Sequence, residues 1–343
     1  MKALIAMSGG VDSSAAALLL REAGMTPVGG MMSLYPKNPT AEADARAVAM
    51  RLGIDFHIFD YADFFREKII GGFQAAYRQG RTPNPCVECN RLLKFGKLAE
   101  EADRLGCQYL ATGHYARIEQ SGSRWYLKRA RDAKKDQSYV LYSLTEELLP
   151  RILFPLGELT KEEVRAYAAA AGFQNAGKQD SQDICFIPDG DYVAFLESTG
   201  GEAAPGDFTD REGNFLGRHR GLLRYTVGQH KKLGLSTPEP LYVTALVPEE
   251  NRVILGRSEE LFSREVFLPH LHWISSDPPP ACFSCRVKIR YRQAEQPAKV
   301  YVSGESARLL FCEPQRAVTP GQSAVLYDGD TVLGGGIIAP LPD

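Results

Sequence analysis

The 343-residue sequence has almost no net charge: 40 Lys and Arg stand against 42 Asp and Glu, a total of −2. Taken alone, that balance argues against a protein that coats nucleic acid by bulk charge. Long apolar runs are also missing. The longest obvious one, residues 15–20 (AAALLL), falls far short of the roughly 18 residues that span a membrane. The N-terminus, MKALIAMSGGVDSS, reaches Gly9-Gly10 and Asp12 before a secretory apolar region could form, so export is not expected. Cysteine is too sparse and too scattered for a disulfide scaffold. Seven cysteines, an odd number, fit reduced thiols of the cytoplasm better. There is no internal repeat and no low-complexity tract. What remains is a composition of 44% apolar and 24% charged residues, that of an ordinary soluble protein, with length for two or three domains.

The first third alternates in the α/β manner. Residues 3–7, 27–34, 54–59 and 109–111 read as strands, and residues 11–23, 41–52, 63–77 and 92–105 as helices. That alternation predicts parallel βαβ units, whose ligands bind beyond the carboxyl ends of the strands. Residues 160–171 form one more helix, opened by the capping box Thr160-x-x-Glu163 and closed by Gly172. After about residue 200 Gly and Pro become dense and short β-type runs appear at 241–247, 252–255, 285–291, 299–302 and 324–327. These predict small β domains, with Asp277-Pro278-Pro279-Pro280 as a hinge between two of them. The expected division is 1–200, 201–272 and 273–343.

The segment Ser8-Gly9-Gly10-Val11-Asp12-Ser13-Ser14 lies between the first strand and the first helix. A helix N-terminus offers unpaired N–H groups and a positive dipole end, and glycines let backbone approach an anion closely. The serines add donors. Asp12 suits a phosphate only with a cation between them, so it reads as a residue beside Mg²⁺ or pyrophosphate. The alternative is a plain helix cap. The segment is not a Walker loop, which needs G-x-x-x-x-G-K-[ST]. It resembles the SGGxDS loop of the PP-loop ATP pyrophosphatases, which implies cleavage of ATP between the α and β phosphates.

Two C-x-x-C pairs, Cys86/Cys89 and Cys282/Cys285, stand 192 residues apart, far beyond a zinc-ribbon spacer of about 15–20. Cys282 and Cys285 read as structural or incidental, and Cys107 and Cys312 as core packing. Cys89 stands just before the helix expected from Leu92, near Arg91 and Lys94. A helix N-terminus and cations both lower a thiol pKa, so Cys89 is expected to be reactive. Cys185, in the polar loop Asp180-Ser181-Gln182-Asp183-Ile184-Cys185, is expected to be reactive as well. His114, in Gly113-His114-Tyr115, either contacts a nucleotide or packs and hydrogen-bonds.

A broader resemblance joins these pieces. The segments SGGVDSS (8–14), TPNPCVECNRLLKFG (82–96), ATGHYAR (111–117), KDQSYVLYSL (135–144), FPLGELTKEEVRA (154–166) and DSQDICFI (180–187) resemble the tRNA-specific 2-thiouridylases. So do GLLRYTVGQHKKLGL (221–235), IRYRQ (289–293) and RAVTPGQSAVLYDGD (316–330), which carry the match to the far end of the chain. The resemblance implies an N-terminal PP-loop domain, adenine nucleotide alpha hydrolase-like, then two small β-rich domains, the last a β-barrel. It implies ATP-dependent 2-thiolation of the wobble uridine, U34, of tRNA: adenylation of uracil O2, then sulfur transfer from a Cys185 persulfide with Cys89 as partner nucleophile. It assigns ATP contacts to Ala6, Met7, Ser8, Gly9, Gly10, Val11, Asp12, Ser13, Met32 and Gly113. It assigns tRNA contacts to Asn84, Pro85, Cys86, Lys135, Asp136, Gln137, Arg290 and Tyr291. ATP and Mg²⁺ are the implied small molecules. The implied partners are the tRNA anticodon stem-loop and a persulfide donor protein, a cysteine desulfurase or a sulfur relay protein. The chain is expected to act as a monomer.

One position departs from the family pattern. Many members carry Asp where this sequence has Cys86, and a thiol, with a reference pKa near 8.5 against about 3.9, cannot take an acid/base role unchanged. Either the acid/base role is dispensable here, or another group, such as Asp183 or Asp136, supplies it; alternatively, Cys86, Cys89 and Cys185 together hold a 4Fe–4S cluster. Charge is also uneven along the chain: residues 117–135, 211–232 and 281–316 sum to +5, +5 and +4. If these segments line one face around the loop and Cys89, they form a tRNA track inside an otherwise acidic protein; scattered, they are solvated faces.

Overall fold

The computed structural model describes residues 1–178, 184–187, 189–199 and 204–342. Asp183 therefore lies outside the described residues, as does the 200/201 domain boundary.

The chain opens as β1 (Lys2–Ala6), α1 (Val11–Glu22), β2 (Thr26–Ser33), α2 (Pro39–Leu52) and β3 (Phe56–Asp60). A helical run follows: α3 (Ala62–Phe64), a π-helical Phe65–Ile70 and α4 (Gly71–Arg78). A second run comprises α5 (Pro85–Cys89), a π-helical Asn90–Lys97 and α6 (Leu98–Arg104). Then come β4 (Tyr109–Ala111), the hairpin β5 (Ala116–Ser121) and β6 (Arg124–Arg129), β7 (Ile152–Leu153), α7 (Lys161–Ala170) and α8 (Tyr192–Ser198). β1, β2, β3, β4 and β7 form one all-parallel sheet in the order β3-β2-β1-β4-β7. Its middle strand is buried at Ala3, Leu4 and Ile5, as a strand covered on both faces must be. The order reverses between β1 and β4, and a crevice beyond strand ends at such a switch is where open α/β sheets bind ligands.

The rest of the chain is β structure. A four-stranded sheet holds β8 (Gly206–Thr209), β9 (Phe215–His219), β10 (Tyr242–Val247) and β11 (Arg252–Gly256), around a core of Phe208, Tyr225, Val243, Val253 and Leu255. The last sheet contains β12 (Phe262–Leu268), β13 (His272–Trp273), β14 (Cys282–Lys288), β15 (Gln296–Ser303), β16 (Ser306–Arg316), β17 (Ser323–Asp328) and β18 (Thr331–Ile337). Strict alternation along β16, with Ala307, Leu309 and Phe311 inward, marks a sheet with one buried face.

Three expectations change. The Asp277–Pro280 stretch is a loop inside this last sheet, between β13 and β14, and not a hinge between domains. β12, before residue 272, pairs with β16, so the expected 272/273 boundary cuts through the sheet. The hairpin β5–β6, unread in the sequence, extends the same sheet through β18, with Arg129 N–H donating to Asp330 O at 2.8 Å. The N-terminal part thus contributes two strands to the C-terminal sheet.

Candidate active site

The loop of residues 8–14 follows β1 and faces β4, at the switch. Gly10 is the N-cap of α1, and no side chain caps that helix. The Ser13 and Ser14 hydroxyls instead turn back to Gly10 O at 3.1 and 2.9 Å. The leading N–H groups are thereby left to an anion. Gly9 has φ +71°, and a Cβ there would lie 2.2 Å from Ala41 O. A Cβ on Gly113 would lie 2.9 Å from the backbone of Asp12 and Ser13, so the β4 end can approach the loop this closely only as glycine. Asn175 Nδ2 donates to Gly9 O and to Ser14 Oγ, both at 3.0 Å. Ala6 and Met7 lie at the end of β1 behind the loop, and Met32 is a half-buried residue of the adjacent β2.

Asp12 is not solitary. Lys161 Nζ donates to its two oxygens at 2.7 and 2.9 Å, and Tyr115 OH donates at 2.9 Å. Lys161 is only 6% exposed and opens α7, whose capping box forms as read from Thr160 and Glu163. Lys161, Tyr115 and Asn175 are site residues that the sequence reading did not single out. The capping signal fixed Lys161 at a helix start, but no local signal joined it to Asp12.

The thiols lie along the second helical run. The helix starts earlier than expected, at Pro85, with Asn84 Oδ1 accepting from Cys86 N–H at 3.1 Å. Cys89 therefore sits in mid-run, not at a helix N-terminus, and Arg91 is turned to Glu88 at 2.6 Å. The expected lowering of its pKa is reversed: burial pushes Cys89 up, against an opposing pull from Lys94. Cys86 is pushed up likewise. Cys185, reached by solvent, is pushed up to about 11, by water exclusion first and then by Cys89 and Cys86, with Lys94 opposing. The three thiols are thus within electrostatic reach of one another and of one ammonium. Tyr291 reaches the same place from the C-terminal sheet: burial, then Asp136, then Cys86 raise its hydroxyl.

His114 joins the two halves of the site. It is 7% exposed and packs against Phe95 and Phe154. Its Nδ1 lies 2.7 Å from Thr112 Oγ1 and its Nε2 3.3 Å from Lys94 Nζ. Of its two readings, packing with hydrogen bonding is what the structure shows.

Comparison with known proteins now decides the family. Residues 1–189 match the family model described as tRNA methyl transferase HUP domain, 193–257 its PRC-barrel domain, and 263–338 the aminomethyltransferase beta-barrel domain. The tRNA-specific 2-thiouridylase MnmA of Acidithiobacillus ferrooxidans is 46% identical over 98% of both chains. That of Acetivibrio thermocellus is 44% identical over 98% of this chain and 99% of its own.

The chain belongs to the tRNA-specific 2-thiouridylase family.

Several residues assigned to tRNA by the family resemblance have work inside this family member. Asp136 accepts from Ala130 N–H, Ser138 N–H and Ser138 Oγ, which holds a turn and leaves it a poor acid/base candidate. Gln137 Oε1 accepts from Tyr115 N–H at 2.9 Å. Arg290 Nη2 donates to Ala317 O at 2.8 Å and Thr319 Oγ1 at 2.6 Å. Tyr291, 36% exposed, packs edge-on against Tyr139. Lys135 is half-buried in the turn before them, and Pro85 is buried.

A 4Fe–4S cluster does not fit. Among the described residues, which include Cys86, Cys89 and Cys185, no three His, Cys, Asp or Glu side chains form a group that could hold a metal. The basic segment 117–135 is not a free track either. Arg117 pairs with Asp330, Arg124 with Asp277, Lys128 with Glu119, Arg129 with Glu295 and Arg131 with Glu163. These charges fasten the β5–β6 hairpin to its neighbours. Cys107 is buried as expected, whereas Cys312 is exposed on β16. Among the described residues no helix is long and apolar enough to cross a membrane.

Proposed function

We propose that this sulfurtransferase 2-thiolates the wobble uridine, U34, of tRNA, using ATP and a persulfide carried on Cys185. The observation that supports it most is the continuity of the site: an uncapped helix N-terminus with a glycine loop is joined through Gly113, His114 and Lys94 to three thiols. An ATP loop without thiols would suit a synthetase of small metabolites. Thiols without the loop would suit a sulfur carrier.

The free N–H groups at the α1 N-terminus, with Ser8 beside them, bind the phosphates of ATP. Uracil O2, a poor leaving group, attacks the α-phosphorus; pyrophosphate leaves, and the base becomes an O2-adenylate. Asp12, whose side chain is 33% exposed, fits as the residue that would hold Mg²⁺, which when bound neutralises the pyrophosphate charge. Lys161 keeps that carboxylate in place. The terminal sulfur of Cys185–S–SH attacks C2, and Cys89 attacks the Cys185 sulfur–sulfur bond. AMP departs with the former O2, sulfur stays on C2, and a Cys89–Cys185 disulfide remains. The last state requires the two Cα atoms within about 7 Å and a reductant to reset the enzyme. A persulfide-carrying protein, a cysteine desulfurase or a relay, reloads Cys185.

The target uridine must leave its stack to reach the thiols. Tyr291, next to Cys86, offers a ring on which it can stack, and Arg290 holds that segment to the last sheet. Asn84 and Cys86, set by the buried Pro85 between them, meet the base in this reading, and the Lys135–Gln137 turn contacts the tRNA. In this reading the enzyme works in the cytoplasm, where its thiols stay reduced between cycles, and acts as a monomer.

The test is nucleoside mass spectrometry of tRNA incubated with the protein, ATP and a persulfide donor. We expect 2-thiouridine at position 34, with AMP and pyrophosphate in equal amounts. AMP release without thiolated nucleoside would sink the reading.

A further inference from the structure

Cys89 and Lys94 are five residues apart on one helical run. At 3.6 residues per turn, an α-helix would turn them about 140° away from each other. The backbone from Asn90 to Lys97 is instead π-helical, closing i to i+5, so that residue 94 returns over the face of residue 89. The same ammonium is held by His114 Nε2 at 3.3 Å. Lys has no proton acceptor, so Nε2 accepts and the ring proton sits on Nδ1, toward Thr112 Oγ1. Thr112 and His114 flank the glycine that touches the nucleotide loop.

We propose that Lys94, turned onto the Cys89 face by the π-helical segment and aimed by the neutral His114, is the cation that stabilises sulfur anions at the thiol site. His114 is a positioning residue. The inference deepens the sulfur-transfer reading and rests on it for its purpose, since the thiolate of Cys89 and the persulfide of Cys185 are the anions concerned.

The surrounding charges agree. Lys94 opposes the upward push on each of Cys86, Cys89 and Cys185. Burial, then Lys94, holds His114 well below the usual imidazole range, so its ring stays neutral. Arg91 is engaged by Glu88, and on the C-terminal side Tyr291 faces both Cys86 and Asp136.

The test is the rate of iodoacetamide alkylation at Cys89, read by peptide mass spectrometry on the full chain from about pH 6 to about pH 11. In Lys94→Met, alkylation near neutral pH should slow about three- to tenfold and its inflection should move to higher pH. Lys94→Arg should restore most of the rate. An unmoved inflection in folded Lys94→Met overturns the proposal, as does a loss that Lys94→Arg fails to restore. Should Lys94→Met not fold, His114→Gln carries the test with a smaller displacement in the same direction, and no displacement overturns it. Alkylation needs neither tRNA nor ATP. A displaced Lys94→Met profile in a protein whose wild type never thiolates tRNA would therefore sink the sulfur-transfer reading and leave this one standing.

Discussion

Seven consecutive residues, 8–14, make most of the nucleotide loop, with Gly113, Asn175 and Lys161 closing around them. The thiol site has no such local nucleus. Cys86, Cys89 and Lys94 come from one helical run, Cys185 from a later loop and Tyr291 from the C-terminal sheet. The loop is saturated with short backbone and hydroxyl contacts, whereas the thiols are related mainly through charge and burial. A binding step that must be repeated in one geometry is served by the first construction. A transfer in which sulfurs must approach, bond and separate is served by the second.

The contrast can be broken most severely at Cys185. Cys185→Ala is expected to abolish thiolation while ATP affinity stays at the wild-type value, measured by isothermal titration. A parallel loss of ATP binding would mean that loop and thiols are one structure rather than two. Gly113→Ala is the reciprocal experiment. Its new Cβ meets backbone, not a yielding side chain, and should cost about 2–3 kcal/mol, or about 100-fold in ATP affinity. Its cysteine alkylation rates should change far less than its ATP affinity, by about threefold at most through the adjoining His114. The smallest effect is the sharpest measure of the thiol environment. The thiolate is the reactive form, so a Cys185 pKa of about 11 makes alkylation climb about tenfold per pH unit from neutrality, with no plateau below about pH 10. A half-maximal rate near about pH 8.5 would show an ordinary exposed thiol.

The same contrast explains what the sequence disclosed. The parallel sheet, the loop and the Thr160 capping box were legible because each is written in local periodicity or spacing. The beginning of the Cys89 helix was not, because Asn84 and Pro85, its cap and first turn, lie well ahead of the run that starts at Leu92. Reading the helix from Leu92 placed Cys89 at a positive dipole end and gave its pKa the wrong direction. The β5–β6 hairpin was missed because its charged residues suggested a nucleic-acid face. Arg117 and Arg129 are ion-paired to acids more than 150 residues away, and no local window contains both partners. Lys161 escaped for a similar reason: its significance lies in Asp12, a neighbour only after folding.

The hairpin also sets a schedule for the ribosome. Arg117 and Asp330 are paired across 213 residues, and β6 meets β18 only when the end of the chain is available. Until then β6 presents an unsatisfied edge, of the kind that recruits other strands. A nascent chain of this protein therefore completes its first domain last, after the central sheet has emerged. Fragments cut at the apparent domain boundaries would carry that open edge with them, and aggregation of such fragments would follow from topology rather than from any weakness in their cores.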